Sequence, residues 1–240
     1  MQLASSCSSN KSLVQWGSMI SRYFQNGLSM AALECFENMQ TEGIQPDRVI
    51  FTTVLKACVG VGSIKHAMET HDQIIRIGLY MDVNISSSLI ITYAKFRCLK
   101  ESRNVFNVTS QRNVVLWGAM ITGYIEHGFG HDALSLYEKM QEIGVKPDRV
   151  IYLCLLKACG SIGSITEGQI IHDKVTKKGL ESENLVGSIF EMYVKCGLFE
   201  EGRDVFDSLP AHSILAWNTL ISGYVEHDCF EEAINCIEKM

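Results

Sequence analysis

Apolar residues in the segment 114–148 recur with the period of an α-helix, twice in succession. In the first half they lie three or four positions apart, which places them on one helical face: Trp117, Met120, Ile121, Tyr124 and Ile125. The second half repeats this spacing at Ala133, Leu134, Leu136, Tyr137 and Met140. Gly128 and Gly130 separate the halves, and Gly144 and Pro147 close the second one. The segment therefore predicts a helix, a turn, a second helix and a further turn.

This pattern is repeated along the chain. Shifted by 101 residues, the segment 114–148 matches 13–47 with fifteen identities in 35 positions. Two other patterns follow it in a fixed order, and both recur with the same long period. The predicted repeats are 13–47, 48–82, 83–113, 114–148, 149–182, 183–213 and a partial one at 214–240, with 1–12 as a disordered N-terminal segment or the remnant of a preceding repeat. Because such helical pairs bury their apolar faces only against neighbouring pairs, we predict an all-α fold, an α-solenoid of stacked helix-turn-helix repeats.

The amino-acid composition limits the kinds of binding partner that the chain can have. The chain has 240 residues, of which 47% are hydrophobic, and a formal net charge of −6. No apolar run approaches the roughly 18 residues of a membrane span, so we expect no membrane partner. The acidic balance argues against a general phosphate-binding surface, and no DNA partner is expected. Four lysines in equivalent positions are candidate phosphate contacts, with solvated helix surface as the alternative: Lys56, Lys157, Lys95 and Lys195.

The positions of the nine cysteines indicate packing in the core and not a metal site. No two of them form a Cys-x-x-Cys pair, and Cys35 and Cys236 are equivalent to Leu136 in the middle copy. A position shared by cysteine and leucine is typical of a hydrophobic core, where a free thiol behaves as a small apolar group. We therefore predict no metal and no cofactor. The histidines form no catalytic motif either, so no catalytic residues are predicted.

These repeats resemble the pentatricopeptide repeat family of plant organelles, in its PLS subclass. The P repeat carries Trp117-Gly-Ala-Met-Ile and Gly144-Val-Lys-Pro-Asp148, and the L repeats carry Val54-Leu-Lys-Ala-Cys58 and Leu155-Leu-Lys-Ala-Cys159. The S repeat carries Met192-Tyr-Val-Lys-Cys-Gly197, with Ala94-Lys95 in the earlier copy. The resemblance covers residues 13–240. It implies a right-handed superhelix that binds single-stranded RNA with one base per repeat.

The resemblance also assigns residues to the RNA. The fifth and last residues of each repeat read a base, and the second residue wedges between bases. The fifth residues are Gly17, Thr52, Ser87, Gly118, Leu153, Gly187 and Asn218. The last residues are Asp47, Asp82, Asn113, Asp148, Ser182 and Ser213. The wedge positions are Val14, Val49, Asn84, Val115, Val150, Asn184 and Leu215.

The assigned pairs differ in how much they specify. Ser87 with Asn113 resembles an adenine reader, and Thr52 with Asp82 resembles a guanine reader. Gly17 and Gly118 have no side chain, so base recognition in their repeats rests on Asp47 and Asp148. Their carboxylates can accept a hydrogen bond from the ring N–H of guanine or uracil. Asn218 favours a pyrimidine, and Leu153 and the pair Gly187 and Ser213 specify nothing. The expected target is (G/U)-N-A-(G/U)-N-N-Y, read 5′ to 3′. The alternative for the aspartates, for Ser87 and for Asn113 is a local role at a helix start.

Three classes of function follow from these observations. The first is sequence-selective RNA binding, and the second is a protein–protein scaffold, which the acidic balance and the glycine-containing repeats favour. The third is an enzyme, but the His-x-Glu and Cys-x-x-Cys motifs of a zinc deaminase are absent from the sequence. We therefore expect a non-enzymatic chain that specifies a site for RNA processing or C-to-U editing, with a deaminase or accessory editing factor supplied in trans. The resemblance implies a mitochondrial location, or alternatively a chloroplast one, and residues 1–12 contain no complete transit peptide.

Overall fold

The computed structural model describes residues 11–110, 112–180, 182–208 and 213–240, and within them the chain is helical. These residues form fourteen α-helices and one 3₁₀ turn, Leu79–Met81, and no strand occurs among them. The α-helices span, in chain order, Leu13–Gln25 (α1), Ser29–Thr41 (α2), Arg48–Val61 (α3), Ile64–Ile77 (α4), Val83–Lys95 (α5), Leu99–Val108 (α6), Val114–Glu126 (α7), Gly130–Glu142 (α8), Arg149–Ile162 (α9), Ile165–Lys177 (α10), Glu183–Lys195 (α11), Phe199–Asp207 (α12), Ile214–Glu226 (α13) and Phe230–Lys239 (α14). The predicted all-α class is confirmed.

The helices form consecutive pairs. Each odd-numbered helix, here called a first helix, packs against the even-numbered second helix that follows it. The chain divides into an N-terminal block that ends at Arg112 and a C-terminal block that begins at Asn113. Within each block, neighbouring first helices also pack against one another. Each block is therefore a stack of helical pairs, as the repeated apolar faces predict.

Glycines end several helices in the predicted way. Gly128 and Gly144 have φ angles of 79° and 77°, in the left-handed region that glycine enters without steric cost. Gly130 differs from the prediction, because it does not break a helix but begins α8. A Cβ atom at Gly130 would lie 2.6 Å from Cγ2 of Ile162. Glycine is therefore present here because α8 and α9 approach closely, not because the chain turns.

The core of the N-terminal block lies between first and second helices. Ile20, Phe51, Leu55 and Ile90 are fully buried and come from the three first helices. Phe36 on α2 contacts Phe51 on α3 edge to face, with ring centroids 6.0 Å apart. Burial of each such side chain contributes about 1.5–3 kcal/mol to stability. Packing between repeats therefore supplies the apolar contacts that a single helical pair lacks.

The C-terminal block has a core of the same kind. Tyr152 and Phe190 are among its largest fully buried side chains. Near its end, Phe206 meets Trp217 at 4.9 Å between ring centroids, and Phe199 stacks on Tyr224 at 4.4 Å. These aromatic contacts join α12 and α13. Each adds about 0.5–1.5 kcal/mol to the contribution of buried area.

The residues predicted to pack in the core are found there. Cys35, Leu136 and Cys236 are equivalent in register, and all three are buried. Trp16 and Trp117 are each 3% exposed, so they pack within the protein and offer no platform for a base. The burial predicted for Cys35, Leu136 and Cys236 is confirmed.

A histidine–tyrosine hydrogen bond recurs once in each block. His71 Nδ1 lies 2.8 Å from the Tyr93 hydroxyl, and His172 Nδ1 lies 2.9 Å from the Tyr193 hydroxyl. In both pairs the rings are edge to face with centroids 5.6 Å apart. Each histidine lies on a second helix, α4 or α10, and its tyrosine lies on the first helix that follows, α5 or α11. The bond therefore links consecutive repeats and gives the buried hydroxyl a partner.

The helices among the described residues are short and amphipathic. None of them combines the length and the apolar content that crossing a bilayer requires. The predicted N-terminal segment 1–12 lies outside the described residues except for Lys11 and Ser12. Ser12 caps α1, and its side chain and that of Gln15 form a capping box.

We expect Gly223→Ala to destabilise the C-terminal block, whereas Gly187→Ala does not. A Cβ atom at Gly223 would lie 1.9 Å from Cγ1 of buried Val194, while one at Gly187 would meet nothing within 4 Å. Overpacking of this kind costs about 1–3 kcal/mol. The matched change at Gly187 should raise stability by up to about 1 kcal/mol, because alanine favours a helix over glycine. Urea unfolding followed by circular dichroism measures both, and equal effects of the two changes would contradict the packing.

We expect mild acid to destabilise the protein in part through His71. Burial lowers the pKa of His71 from its ordinary value of 6.5, and the Asp72 carboxylate opposes this only partly. The unfolded histidine therefore binds a proton more readily than the folded one. Its contribution to stability is complete above about pH 6.5 and is lost as pH falls through the folded pKa.

The control is His71→Gln, whose amide oxygen can still accept from Tyr93. Urea midpoints measured at pH 7 and pH 5 should fall more for the wild type than for His71→Gln. An identical fall in both proteins would show that another group carries the acid sensitivity.

Candidate nucleic-acid interface

The fifth residues of the predicted repeats occupy the same place on every first helix. Each is the fifth residue of its helix, one turn from the N-terminal end. Because first helices pack side by side within each block, these residues form one row in each block. The N-terminal row is Gly17, Thr52 and Ser87, and the C-terminal row is Gly118, Leu153, Gly187 and Asn218.

The glycines of these rows leave space for a side chain. A Cβ atom at Gly17 would lie 3.5 Å from Cγ1 of Ile50, and one at Gly118 would lie 3.6 Å from Cγ1 of Ile151. Both distances are ordinary van der Waals contacts. Glycine is therefore not sterically required at either position, and the first helix exposes backbone there without a side chain to read a base.

The hydroxyl groups in the rows already donate to backbone. Thr52 Oγ1 donates to the Val49 carbonyl at 2.8 Å, and Ser87 Oγ donates to the Asn84 carbonyl at 2.9 Å. Each hydroxyl oxygen keeps its capacity to accept. Ser87 is 8% exposed, so only a group that reaches into the row can contact it. Both residues therefore present acceptors in this arrangement.

The two remaining members of the C-terminal row differ from each other. Leu153 is half-buried, and its apolar side chain offers nothing to a base edge. Asn218 is exposed, and its amide carries both a donor and an acceptor.

The last residues of the repeats all stand at the starts of first helices. Asp47 and Asp148 each accept a hydrogen bond at 2.9 Å, from the backbone N–H of Ile50 and of Ile151. Asn113 accepts from the N–H groups of Val115 and Leu116 at 3.1 and 3.2 Å. Ser213 accepts from Ala216 at 3.2 Å, whereas Ser182 makes no such bond. The N-cap role expected as the alternative is therefore present at Asp47, Asp148 and Asn113.

Asp82 is held more firmly than the other caps. Its Oδ1 accepts from the N–H groups of Asn84 and Ile85 at 2.8 and 3.1 Å. Its Oδ2 lies 3.9 Å from Nη1 of Arg48. Asp47 and Asp148 use only Oδ1 for the cap, and their Oδ2 atoms have no hydrogen-bond partner within the described ranges. These two carboxylates can cap a helix and accept from a ligand at the same time.

The wedge valines are exposed at equivalent positions. Val14, Val49, Val115 and Val150 are 76%, 57%, 52% and 60% exposed. Asn84 and Asn184 are exposed as well. The side chain of Leu215 lies outside the described part of the chain, but its neighbour Ile214 is 72% exposed. Valine at four equivalent positions is therefore largely exposed, and burial in the core does not account for it.

The candidate phosphate contacts are all exposed, and Lys195 forms an ion pair. Its Nζ lies 2.8 Å from Oε1 of Glu191 on the same helix. Lys56, Lys95 and Lys157 also lie on first helices with their side chains exposed. Lys195 is therefore paired with Glu191, and an exposed ion pair of this kind contributes at most about 1 kcal/mol.

Glu191 is a candidate residue that the sequence pattern did not reveal. It lines a cavity of about 250 Å³ together with Asn218 and Lys195. The available signal was the register, because Ile91 stands at the equivalent position one hundred residues earlier. The spacing of Glu191 and Lys195, four residues apart on one helix, also predicts their ion pair.

The buried thiols do not contribute reactive groups. Burial raises the pKa of Cys58 to about 11 and that of Cys159 to about 12, so both thiols stay protonated at neutral pH. No group of three or more potential metal ligands occurs in the part of the chain that the structure describes. The two rows therefore offer hydrogen-bonding groups and apolar side chains, which suit binding.

Family comparisons match most of the chain. The family described as "PPR repeat family" matches residues 11–60 and 112–161. The family described as "PPR repeat" matches residues 49–79, 186–214 and 215–240. Together these ranges cover more than half of the sequence.

Similar curated proteins come from Arabidopsis thaliana. A putative pentatricopeptide repeat-containing protein is 32% identical over 235 residues, covering 96% of this chain and 34% of that protein. A mitochondrial relative is 30% identical over 230 residues, covering 96% and 38%, and a chloroplastic one is 31% identical over 231 residues, covering 96% and 29%. The chain thus spans about a third of the length of these relatives.

A solved structure shares the fold. The pentatricopeptide repeat protein PPR10, in complex with an 18-nt psaJ RNA element, aligns with a TM-score of 0.77 at 18% identity. The alignment covers 96% of this chain and 35% of PPR10. At this identity the likeness supports the helical-repeat fold.

We expect Asp148→Ala to destabilise the protein by about 1 kcal/mol, because it removes the N-cap of α9. Asp148→Asn should be close to neutral, since asparagine caps a helix as well as aspartate does. Urea unfolding measures both. Wild-type stability in Asp148→Ala would remove the N-cap explanation for this residue.

Proposed function

Because the chain belongs to the pentatricopeptide repeat family, we propose that it binds single-stranded RNA in a sequence-selective way, with one base per repeat. The observation that carries this proposal is the equivalent exposure of the four wedge valines beside the rows of fifth residues. Exposed apolar side chains at a regular spacing suit the faces of successive unstacked bases. The adjacent N-cap residues and hydroxyl groups suit the base edges.

The proposed target is (G/U)-N-A-(G/U)-N-N-Y, read 5′ to 3′. The adenine belongs to Ser87 and Asn113, and in the structure the Asn113 cap uses Oδ1 and leaves the amide Nδ2 as a donor. The two G/U steps belong to Asp47 and Asp148, whose second carboxylate oxygens are acceptors for a ring N–H. The pair Thr52 and Asp82 contributes less in this proposal, because both carboxylate oxygens of Asp82 already have partners.

We further propose that the chain is non-enzymatic and specifies a site in an organellar transcript. A mitochondrial location is favoured, with the chloroplast as the alternative, since similar proteins carry either description. A deaminase or an accessory editing factor supplied in trans would provide C-to-U chemistry at the site. The rows themselves offer no metal cluster among the described residues and no activated nucleophile.

The second candidate is a protein–protein scaffold. The net charge of −6 and the glycines at three of the seven fifth positions favour it. A scaffold would bind a folded partner tightly and RNA only weakly. The RNA titration below distinguishes the two candidates.

We expect a single-stranded RNA that carries the heptamer to lose about tenfold in affinity when its adenine becomes cytosine. A tenfold loss corresponds to roughly one hydrogen bond between uncharged groups. The double variant Ser87→Asn with Asn113→Asp should shift the preference at that step away from adenine. A gel-shift titration at a stated, moderate salt concentration measures both effects, because RNA affinity depends on salt.

The matched control is Ser88→Asn, which makes the same change one residue further along α5. Its side chain leaves the helix about 100° away from that of Ser87. The control should keep the wild-type adenine preference. An unchanged preference in the double variant would refute the adenine assignment, and binding to no RNA in a well-folded protein would favour the scaffold.

A further inference from the structure

A cavity of about 250 Å³ lies between α11 and α13 in the C-terminal block. It is smaller than the roughly 300–1,000 Å³ clefts that bury a drug-sized ligand, and its size suits one planar base. Apolar atoms supply most of its surface, but six of its eight lining residues carry polar or charged groups: Glu191, Lys195, Asn218, Thr219, Ser222 and Glu226, with Val194 and Gly223 as the other two. Asn218, the fifth residue of the last repeat, therefore shares a cavity with acidic side chains from both helices.

Glu191 is held in position within this cavity. Its Oε1 accepts from Lys195 Nζ at 2.8 Å, and the two residues are four positions apart on α11. The side chains of Glu191 and Lys195 are 36% and 43% exposed. The order of a glutamate followed by a lysine four residues later is the favourable one on a helix. One carboxylate oxygen is thus fixed by Lys195, while the other keeps its capacity to accept.

The fold does not require a carboxylate at this position. Ile91 occupies the equivalent place on α5, with 48% of its side chain exposed, and it precedes Lys95 by the same four residues. An exposed isoleucine in one copy and a half-exposed glutamate in the other indicate that packing does not decide the residue. Glu191 therefore distinguishes the last S repeat from the earlier one by charge and hydrogen bonding.

Asn218 alone does not select one pyrimidine. Its amide presents a donor and an acceptor and can turn to match either the amine and ring nitrogen of cytosine or the carbonyl and ring N–H of uracil. A glutamate carboxylate only accepts hydrogen bonds. Cytosine carries an exocyclic amine, which is a donor, where uracil carries a carbonyl oxygen, which is an acceptor.

We propose that Glu191 is a specificity-determining residue that selects cytosine over uracil at the step assigned to Asn218. The inference rests on the proposed RNA-binding function and refines it. A pyrimidine held by Asn218 lies in the cavity that Glu191 lines, so its exocyclic group meets the carboxylate. Cytosine donates its amine hydrogen to Glu191, whereas uracil places a carbonyl oxygen against a negative charge.

The test compares two heptamer RNAs that differ only in cytosine or uracil at the seventh position. Fluorescence anisotropy at one fixed salt concentration gives both affinities. We expect the wild type to bind the cytosine probe about tenfold more tightly, the scale of a hydrogen bond to a charged group. In Glu191→Gln the ratio should fall to near one, because the amide can donate to uracil as readily as it accepts from cytosine.

Two further variants separate specificity from charge and folding. Glu231→Gln makes the same change of net charge at an exposed site on second helix α14, and it should retain the wild-type ratio. Glu191→Ile introduces the residue that the equivalent position already holds, so it should fold and should also lose the preference. Circular dichroism of each variant verifies helix content.

The outcomes distinguish this inference from the function on which it rests. Equal cytosine-to-uracil ratios in the wild type and Glu191→Gln, with the adenine step still discriminated, would overturn the role of Glu191 and leave RNA binding intact. A wild-type ratio near one would overturn it as well. Binding to no RNA probe would overturn both proposals.

Discussion

The packing of first helices against one another is the contact on which the rest of each block depends. A single helical pair cannot cover its own apolar face, so Ile20, Phe51 and Leu55 are buried only because a neighbouring pair lies beside them. The same packing also sets the place of the fifth residues on the first helices. Ile50 and Ile151 lie beside the preceding first helix at Gly17 and Gly118, which leaves the fifth residues at the edge of that contact. The row of fifth residues is therefore a consequence of how the core is built.

The helix caps show why structural and functional roles coincide in this fold. Asp47 and Asp148 satisfy a backbone N–H at the start of a first helix, which any helix in this position needs. That bond uses one oxygen, and the other has no hydrogen-bond partner within the described ranges. Asp82 also meets Arg48, so the same residue type in the same register has different freedom. A cap and a reading group are thus compatible, and the two explanations of these aspartates do not compete.

The sequence register predicted what the repeats share but not what distinguishes them. The helical class, the left-handed turns at Gly128 and Gly144 and the burial of Cys35 and Cys236 followed from apolar spacing and from equivalent positions. The contact between His71 and Tyr93 did not, because two residues 22 positions apart on different helices leave no periodic signal.

The same holds where one copy departs from the others. Residue 130 is a glycine because a Cβ atom there would crowd Ile162, and that approach exists only after folding. Glu191 is informative because it departs from its equivalent, Ile91, and the cavity that it lines forms only when α11 and α13 pack. The roles of Gly130 and Glu191 depend on tertiary contacts, whereas sequence periodicity reveals only the features that recur from repeat to repeat.

Charge sets how such a surface can bind RNA. The chain carries a net charge of −6, and several exposed cations are paired on their own helices, as Lys195 is with Glu191 and Lys177 with Asp173. The negative net charge weakens the attraction to a phosphate backbone, and the release of counterions from that backbone normally dominates affinity. For the proposed function, the affinity must therefore come from apolar contact with base faces and from hydrogen bonds to base edges. Binding of this kind depends less on salt and more on sequence, because the energy lies in the groups that differ from one base to the next.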